Sequence, residues 1–206
     1  MDQSVLRSFE AGCVQEEPPG CQTMCPLHVD ARSFAALMGR GRMADARKVL
    51  DRNMPLSMLL GRLCSGPCLA HCRRAELDGA VNLPLLERAC VNATKPLKIM
   101  PLPATGRRTA VLGGGLSSLT AAFELARKGH GVTLFHHPDG PGKTLARAAG
   151  DHLPPEAVDE ALTVLRGMRV TVAPLEALRS AGELAEEHDA VFVGQDDPLL
   201  DFSGLG

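Results

Sequence analysis

Thr109-Ala-Val-Leu-Gly-Gly-Gly-Leu-Ser-Ser-Leu-Thr-Ala-Ala122 reads as a short apolar strand, a glycine turn and the opening of a helix. The glycines end the strand, and helical apolar spacing then runs to about Lys128. Gly129-His-Gly131 reverses the chain, and Val132-Thr-Leu-Phe135 reads as a second strand. Further on, Pro155 to Arg166 reads as a helix, while Arg169 to Val172 and Ala190 to Val193 read as strands. A helix around Glu183 to Glu187 falls between those strands. Strand–helix alternation of this kind predicts a parallel, doubly wound sheet.

Working back toward the N-terminus, Lys95-Pro-Leu-Lys-Ile-Met-Pro-Leu-Pro-Ala-Thr-Gly106 carries three prolines and a glycine. Such a segment resists regular structure and reads as a linker. It places a boundary near residue 100, between a helical half (1–100) and a partial Rossmann-like half (107–206). The expected fold class is a small all-α domain followed by an α/β domain. In the first half, Asp30 caps a helix to about Met38 whose apolar face uses Phe34, Leu37 and Met38, and Gly39 and Gly41 end it. A second helix fits Met43 to about Asp51, with Ala44, Ala46, Val49 and Leu50 inward. Pro84 suits the first turn of a third, running to about Val91.

The same half carries all seven cysteines: Cys13, Cys21 and Cys25; Cys64, Cys68 and Cys72; and Cys90. The middle three stand at strict four-residue spacing, and Cys25-Pro26 ends the first group as cluster-binding runs often end. The N-terminus has no apolar run fit for a signal peptide, and no stretch approaches the ~20 apolar residues of a membrane helix. The expected location is therefore cytoplasmic, where clustered thiols mean metal or redox chemistry rather than disulfides. An odd cysteine count argues the same way. Structural zinc usually shows paired Cys-x-x-Cys knuckles, which this chain lacks, so iron–sulfur is favoured over zinc. Of the 206 residues 45% are hydrophobic, enough to bury a core, and the net charge of −2 suggests neither nucleic acid nor an anionic membrane as partner. Trp and Tyr are absent and only six Phe are present, so aromatic base-stacking platforms are not expected.

The ordered motifs Cys21-Gln-Thr-Met-Cys25-Pro-Leu-His-Val-Asp-Ala-Arg-Ser-Phe34, Asn53-Met-Pro-Leu56, Gly61-Arg-Leu-Cys64, Pro67-Cys68-x-x-x-Cys72 and Leu86-Glu-Arg88 carry a resemblance. From about residue 13 to 195 the chain is similar to the glutamate synthase small subunit and the N-terminal region of dihydropyrimidine dehydrogenase. The resemblance implies a helical domain with two 4Fe-4S clusters, preceding FAD- and NADPH-binding domains. It assigns one cluster to Cys25, Cys64 and Cys68 with Glu87 as fourth ligand, although a helix Glu is by itself usually solvated. It assigns the other to Cys13, Cys21 and Cys72, but the family's next cysteine is Glu16 in this chain. Several completions stay open: Glu16 as an oxygen ligand, a three-iron cluster, Cys90 or an outside group, or loss of the site. Cys90 itself reads first as a small buried hydrophobe. His28, His71, Arg73 and Arg74 lie near ligand cysteines, where tuning a cluster competes with ordinary solvation.

The glycine turn meets a dinucleotide fingerprint only in part. Gly113 and Gly115 supply the turn and the close approach to a pyrophosphate, but Ser118 replaces the third glycine. The acidic residue that normally ends the second strand and holds the ribose is replaced by His136, and the later glycine pair appears only as Gly140-Pro-Gly142. FAD is thus a possible second cofactor, not a requirement. The chain stops before the remaining flavin and NADPH regions of the family, so hydride transfer from NADPH by this chain alone is not expected.

The resulting expectation is an electron-transfer iron–sulfur subunit of a larger cytoplasmic oxidoreductase, passing electrons between redox centres on partner chains, with no bond chemistry of its own. Two alternatives stand beside it. One is a piece of a split FAD-dependent NAD(P)H oxidoreductase, and the other a structural subunit that uses metal to hold its fold.

Overall fold

A computed structural model describes residues 2–5, 7, 18–150, 153–175 and 181–194. The contacts divide the chain into two units: Met1–Met54 with Cys64–Lys95, and Pro55–Leu63 with Pro96–Gly206.

The first unit is helical in its described part. It contains α1 (Gly20–Thr23), α2 (Ala31–Gly39), α3 (Met43–Asn53) and, beyond the excursion into the second unit, α5 (Leu83–Ala93). Two 3-10 turns, Pro67–His71 and Arg73–Glu76, precede α5. The Asp30 side chain accepts from the Ser33 N–H and fixes the start of α2 as expected. Asn82 caps α5 in the same way through the Leu85 N–H, with Pro84 in the first turn. Helices α2, α3 and α5 pack on one another around Phe34, Leu50, Cys90 and Val91. The inward face of α3 differs from expectation: Ala46 and Leu50 are buried, but Ala44 is exposed and Arg47 is buried instead. The Arg47 guanidinium donates to Asp51 and to the Val91 and Thr94 carbonyls at the end of α5. Those partners satisfy a charge that could not otherwise be buried.

The second unit holds α4 (Ser57–Leu63), β1 (Arg108–Leu112), α6 (Leu116–Arg127), β2 (Gly131–His136), α7 (Lys143–Ala149), α8 (Pro155–Gly167), β3 (Thr171–Pro174), α9 (Ala181–Glu187) and β4 (Ala190–Val193). The sheet is parallel throughout, in the order β3-β2-β1-β4. Alternation along each strand gives the sheet two apolar faces. Val111, Val132 and Leu134 pack with Leu119 and Phe123 of α6 and Leu162 and Leu165 of α8. Leu56 and Leu59 belong to that same core. Ala110 and Leu112 face Leu184 of α9 on the other side. β3 begins two residues later than expected, because Arg169 takes a left-handed conformation at φ 67° and closes the turn after α8. The proline-rich segment before β1 has no regular structure, yet it is tied down: the Leu102 N–H donates to the Arg127 carbonyl and the Thr105 N–H to the Gly129 carbonyl. Among the described residues, no helix is long and apolar enough to cross a membrane.

Candidate cluster-binding and nucleotide-binding sites

In the first unit, the cysteines reach one another through turns rather than through regular helices. Cys25 follows α1, Cys64 follows α4, and Cys68 sits in the first 3-10 turn. Gly66 makes the approach possible. Its φ is 73°, and a Cβ there would lie 3.0 Å from the Pro84 ring and 3.2 Å from Leu69. The loop therefore lies against the start of α5, the helix that carries Glu87. The Gly66 N–H points at the Cys64 sulfur at 3.4 Å.

The electrostatics identify the partners. Burial, followed by the charge of Glu87, pushes the Cys68 thiol up to about 11. The Cys64 thiol is raised by burial, and Glu87 and Cys25 add to the shift. Glu87 is itself only 7% exposed, and burial lifts its carboxyl to about 7. Its Oε2 has no hydrogen-bond partner among the described residues. Cys64 thus feels Cys25 and Glu87, Cys68 feels Cys64 and Glu87, and Glu87 holds a buried oxygen in need of a positive or Lewis-acidic partner. That donor set fits the cluster the resemblance implies. Among the described residues, no three His, Cys, Asp or Glu donors converge as they would around a single ion. A four-iron cluster takes its protein ligands at separate irons.

A second group adjoins the first. Gly20 packs so tightly on the Pro67–His71 turn that a Cβ there would lie 2.9 Å from the His71 carbonyl, and the following residue, Cys21, is thereby held beside Cys72. Burial raises the Cys21 thiol and Cys72 raises it further, while Cys21 in turn acts on Cys68. The Val81 N–H points at the Cys72 sulfur at 3.5 Å. A cavity of about 240 Å³ opens beside Cys21 and Cys72 and is rimmed by Arg32, His71, Arg73 and Arg74. Arg74 is ion-paired with Asp78. Cys13 and Glu16, the other residues expected at this site, lie outside the described residues.

Cys90 is fully buried, and its thiol donates to the Met43 carbonyl at 3.5 Å, a packing arrangement. Sequence reasoning missed the residue that pins the Cys25 turn. His28 stands at φ 48°, and the Asn53 amide donates to the Leu27 and His28 carbonyls, both at 3.2 Å. The signal was the motif Asn53-Met-Pro-Leu56, whose spacing carried no chemistry on its own.

In the second unit the glycine turn lies at the carboxyl end of β1, where the neighbouring strands β2 and β4 diverge in connection. The Gly113 N–H donates to the Phe135 carbonyl at 2.8 Å, and the Gly142 N–H to that of Gly114 at 3.2 Å. Ser118 is fully buried, and its hydroxyl donates to the Leu112 carbonyl at 2.9 Å, so it joins α6 to the end of β1. Gly115 opens the twelve-residue α6 without a side-chain cap. His136 ends β2 and is buried.

Comparison with known proteins divides the chain into two matched segments. Residues 7–98 match the family described as dihydropyrimidine dehydrogenase domain II, 4Fe-4S cluster. Residues 111–172 match the NAD(P)-binding Rossmann-like domain. The chain is 32% identical over 129 residues to the NADPH-Fe(3+) oxidoreductase subunit beta of Geobacter sulfurreducens, covering 59% of this chain and 19% of that protein. It is 24% identical over 202 residues to the NADP(+)-dependent formate dehydrogenase subunit beta of Moorella thermoacetica, covering 84% and 29%. Against the glutamate synthase [NADPH] small chain of Mycobacterium tuberculosis it is 32% identical over 148 residues, covering 70% and 30%. The chain thus spans less than a third of each relative's length.

Proposed function

Given a first segment of the dihydropyrimidine dehydrogenase domain II 4Fe-4S kind, followed by an NAD(P)-binding Rossmann-like segment, we propose that the chain is an electron-transfer subunit of a larger oxidoreductase. The observation that carries the reading is the unpartnered buried Oε2 of Glu87 beside Cys64 and Cys68. Cys25, Cys64, Cys68 and Glu87 hold one 4Fe-4S cluster, and Cys13, Cys21 and Cys72 hold a second, completed by Glu16. Bound clusters supply one-electron transfer at potentials set by ligand type, charge and solvent access. The residues of this chain hold and shield them. The Gly66 and Val81 N–H groups donate toward ligand sulfurs, and Arg32, Arg73 and Arg74 place positive charge beside the second site. Electrons pass between redox centres on partner chains, and the names of the relatives favour partners that handle NADPH.

The second reading, a piece of a split flavin-dependent NAD(P)H oxidoreductase, draws on the glycine turn. Gly113, Gly115, Ser118 and His136 then hold FAD, and the 2.9 Å bond from Ser118 to Leu112 supports it by keeping helix and strand together without the third glycine. Bound stoichiometric flavin in the purified chain distinguishes the two.

The first test is iron and acid-labile sulfide on anaerobically purified protein. About eight irons per chain are expected for two clusters, and about four would leave only the Glu87 site filled. In Cys68→Ser, iron should fall by about four per chain. Unchanged iron in that variant would overturn the ligand assignment.

A further inference from the structure

The strap that leads into β1 offers water what a folded chain ordinarily hides. Met100 is 84% exposed and Leu102 61% exposed, on a segment that the fold fastens down. The Leu102 and Thr105 N–H groups donate to the Arg127 and Gly129 carbonyls at 2.9 and 3.0 Å. Pro101 and Pro103 fix the backbone on either side of Leu102. Gly129 stands at φ 88°, and a Cβ there would run into the Pro103 carbonyl oxygen, so the contact tolerates no side chain. Two apolar side chains held out on a fastened backbone mark an interaction surface when their surroundings are polar and concave.

The surroundings are both. A cavity of about 580 Å³ runs between the strap and the amino end of the sheet. Its lining includes Lys98, Met100, Leu102 and Arg169, and no carboxylate among the described residues. β1 and β2 pair Arg108 with Gly131, which lines the same cavity, so Arg107 and Arg108 stand beside it, both exposed. Among the described residues, none of the Lys98, Arg107, Arg108 and Arg169 side chains is in an ion pair. Asp189 is close to the arginines, but its Oδ2 accepts from the Arg108 backbone N–H at 2.7 Å. Compensation of a helix dipole would call for cations in a last helical turn, and none of these four lies in a helix.

We propose that this face, at the end of the sheet opposite the glycine turn, docks a partner protein whose surface carries carboxylates around a projecting apolar side chain. The cavity receives the projection, Met100 and Leu102 flank it, and the four cations meet the carboxylates. Unpaired charges of one sign speed encounter with such a surface and exclude basic ones. A protein suits the face better than an anionic bilayer does. Bilayers are entered by side chains of an amphipathic helix, whereas here a strap without regular structure borders a hollow. The proposal uses neither a cluster nor a nucleotide, so its failure leaves the electron-transfer reading untouched.

The test is fluorescence anisotropy of a labelled peptide carrying glutamates around a central Leu-Phe pair, titrated with the full chain. Control peptides carry lysines in place of the glutamates, or serines in place of the Leu-Phe pair. The acidic apolar peptide should bind about tenfold more tightly than either control and lose affinity severalfold between about 50 and about 300 mM salt. Arg107→Glu with Arg169→Glu should weaken it by about tenfold, and Met100→Ser with Leu102→Ser by about fivefold. Lys143→Glu, an exposed position beside the glycine turn, should leave binding unchanged. Circular dichroism on each variant checks the fold. Equal binding of acidic and basic peptides, or binding unmoved by the arginine substitutions, would overturn the proposal. Failure of the acidic peptide to bind would also overturn it, and sedimentation of the chain with phosphatidylglycerol vesicles in that case would assign the face to a membrane.

Discussion

Glu87 costs the fold something in the absence of the proposed cluster. Its carboxyl rises from an ordinary 4.5 to about 7, with burial as the largest cause. The iron-free folded chain therefore keeps a proton that the unfolded chain gives up between those values. This contribution is fully present below the unfolded value and is lost as pH rises through about 7. Urea unfolding of iron-free protein should show about 3 kcal/mol less stability at pH 8 than at pH 5 from this group. Glu87→Gln should flatten that slope. A slope unchanged by the substitution would mean that other groups cause it. Ser118 offers a smaller test. Its hydroxyl shares the Leu112 carbonyl with the Gly194 N–H, so Ser118→Ala leaves that carbonyl bonded and should cost about 1 kcal/mol by thermal unfolding. At this scale the cysteines were legible, because their spacing is itself the chemistry. Glu87 was singled out only by the resemblance, because a helix carboxylate looks the same in sequence whether it is solvated or buried. Ser118 read as a missing glycine, and its hydrogen bond appears only when the helix meets the strand.

Among the elements, α3 and α5 depend on the pair Arg47 and Asp51, whose side chains are 3% and 7% exposed and 2.8 Å apart. Arg47→Met removes the cation from beside a buried carboxylate and strips two carbonyls of a donor. It should destabilise the first unit by about 3 kcal/mol in chemical denaturation. Arg47→Met with Asp51→Leu should recover much of that loss, since two apolar side chains leave no charge behind. A double variant no better than the single one would place the cost in the bonds to Val91 and Thr94. The helices capped by Asp30 and Asn82 and the strands beside the glycine turn were legible, because caps, periodicity and glycine act locally. The burial of Arg47 was not, since its partners include carbonyls 44 and 47 residues away. The start of β3 slipped because the left-handed Arg169 has no sequence signal such as glycine or asparagine. Helix α4 went unread: seven residues between Pro55 and Cys64 are too few to show a period.

For the whole molecule, the two units differ in what holds them. The sheet unit has two apolar faces and a large core of its own. The helical unit carries loops in which burial holds Cys64, Cys68 and Glu87 toward their protonated forms, which the proposed cluster would replace. Removing iron should therefore lower hydrogen-exchange protection in α2, α3 and α5 and leave β1 and β2 nearly unchanged. Equal loss in both would mean that metal supports the entire chain. The helical-then-α/β order was legible from the change in sequence style across residues 95–106, but a single cut near residue 100 does not describe the contacts.

The path of the chain has a practical consequence. It leaves the helical unit after Met54, contributes Leu56 and Leu59 to the core of the sheet unit, and returns at Cys64, a proposed ligand. The two halves are therefore stitched, not merely joined end to end. A fragment ending at residue 95 would carry a stranded apolar helix, and one beginning at residue 96 would lack a piece of its own core. Anyone transplanting the helical half onto a new partner, by cloning or by evolution, must move the sheet with it or redesign residues 55–63.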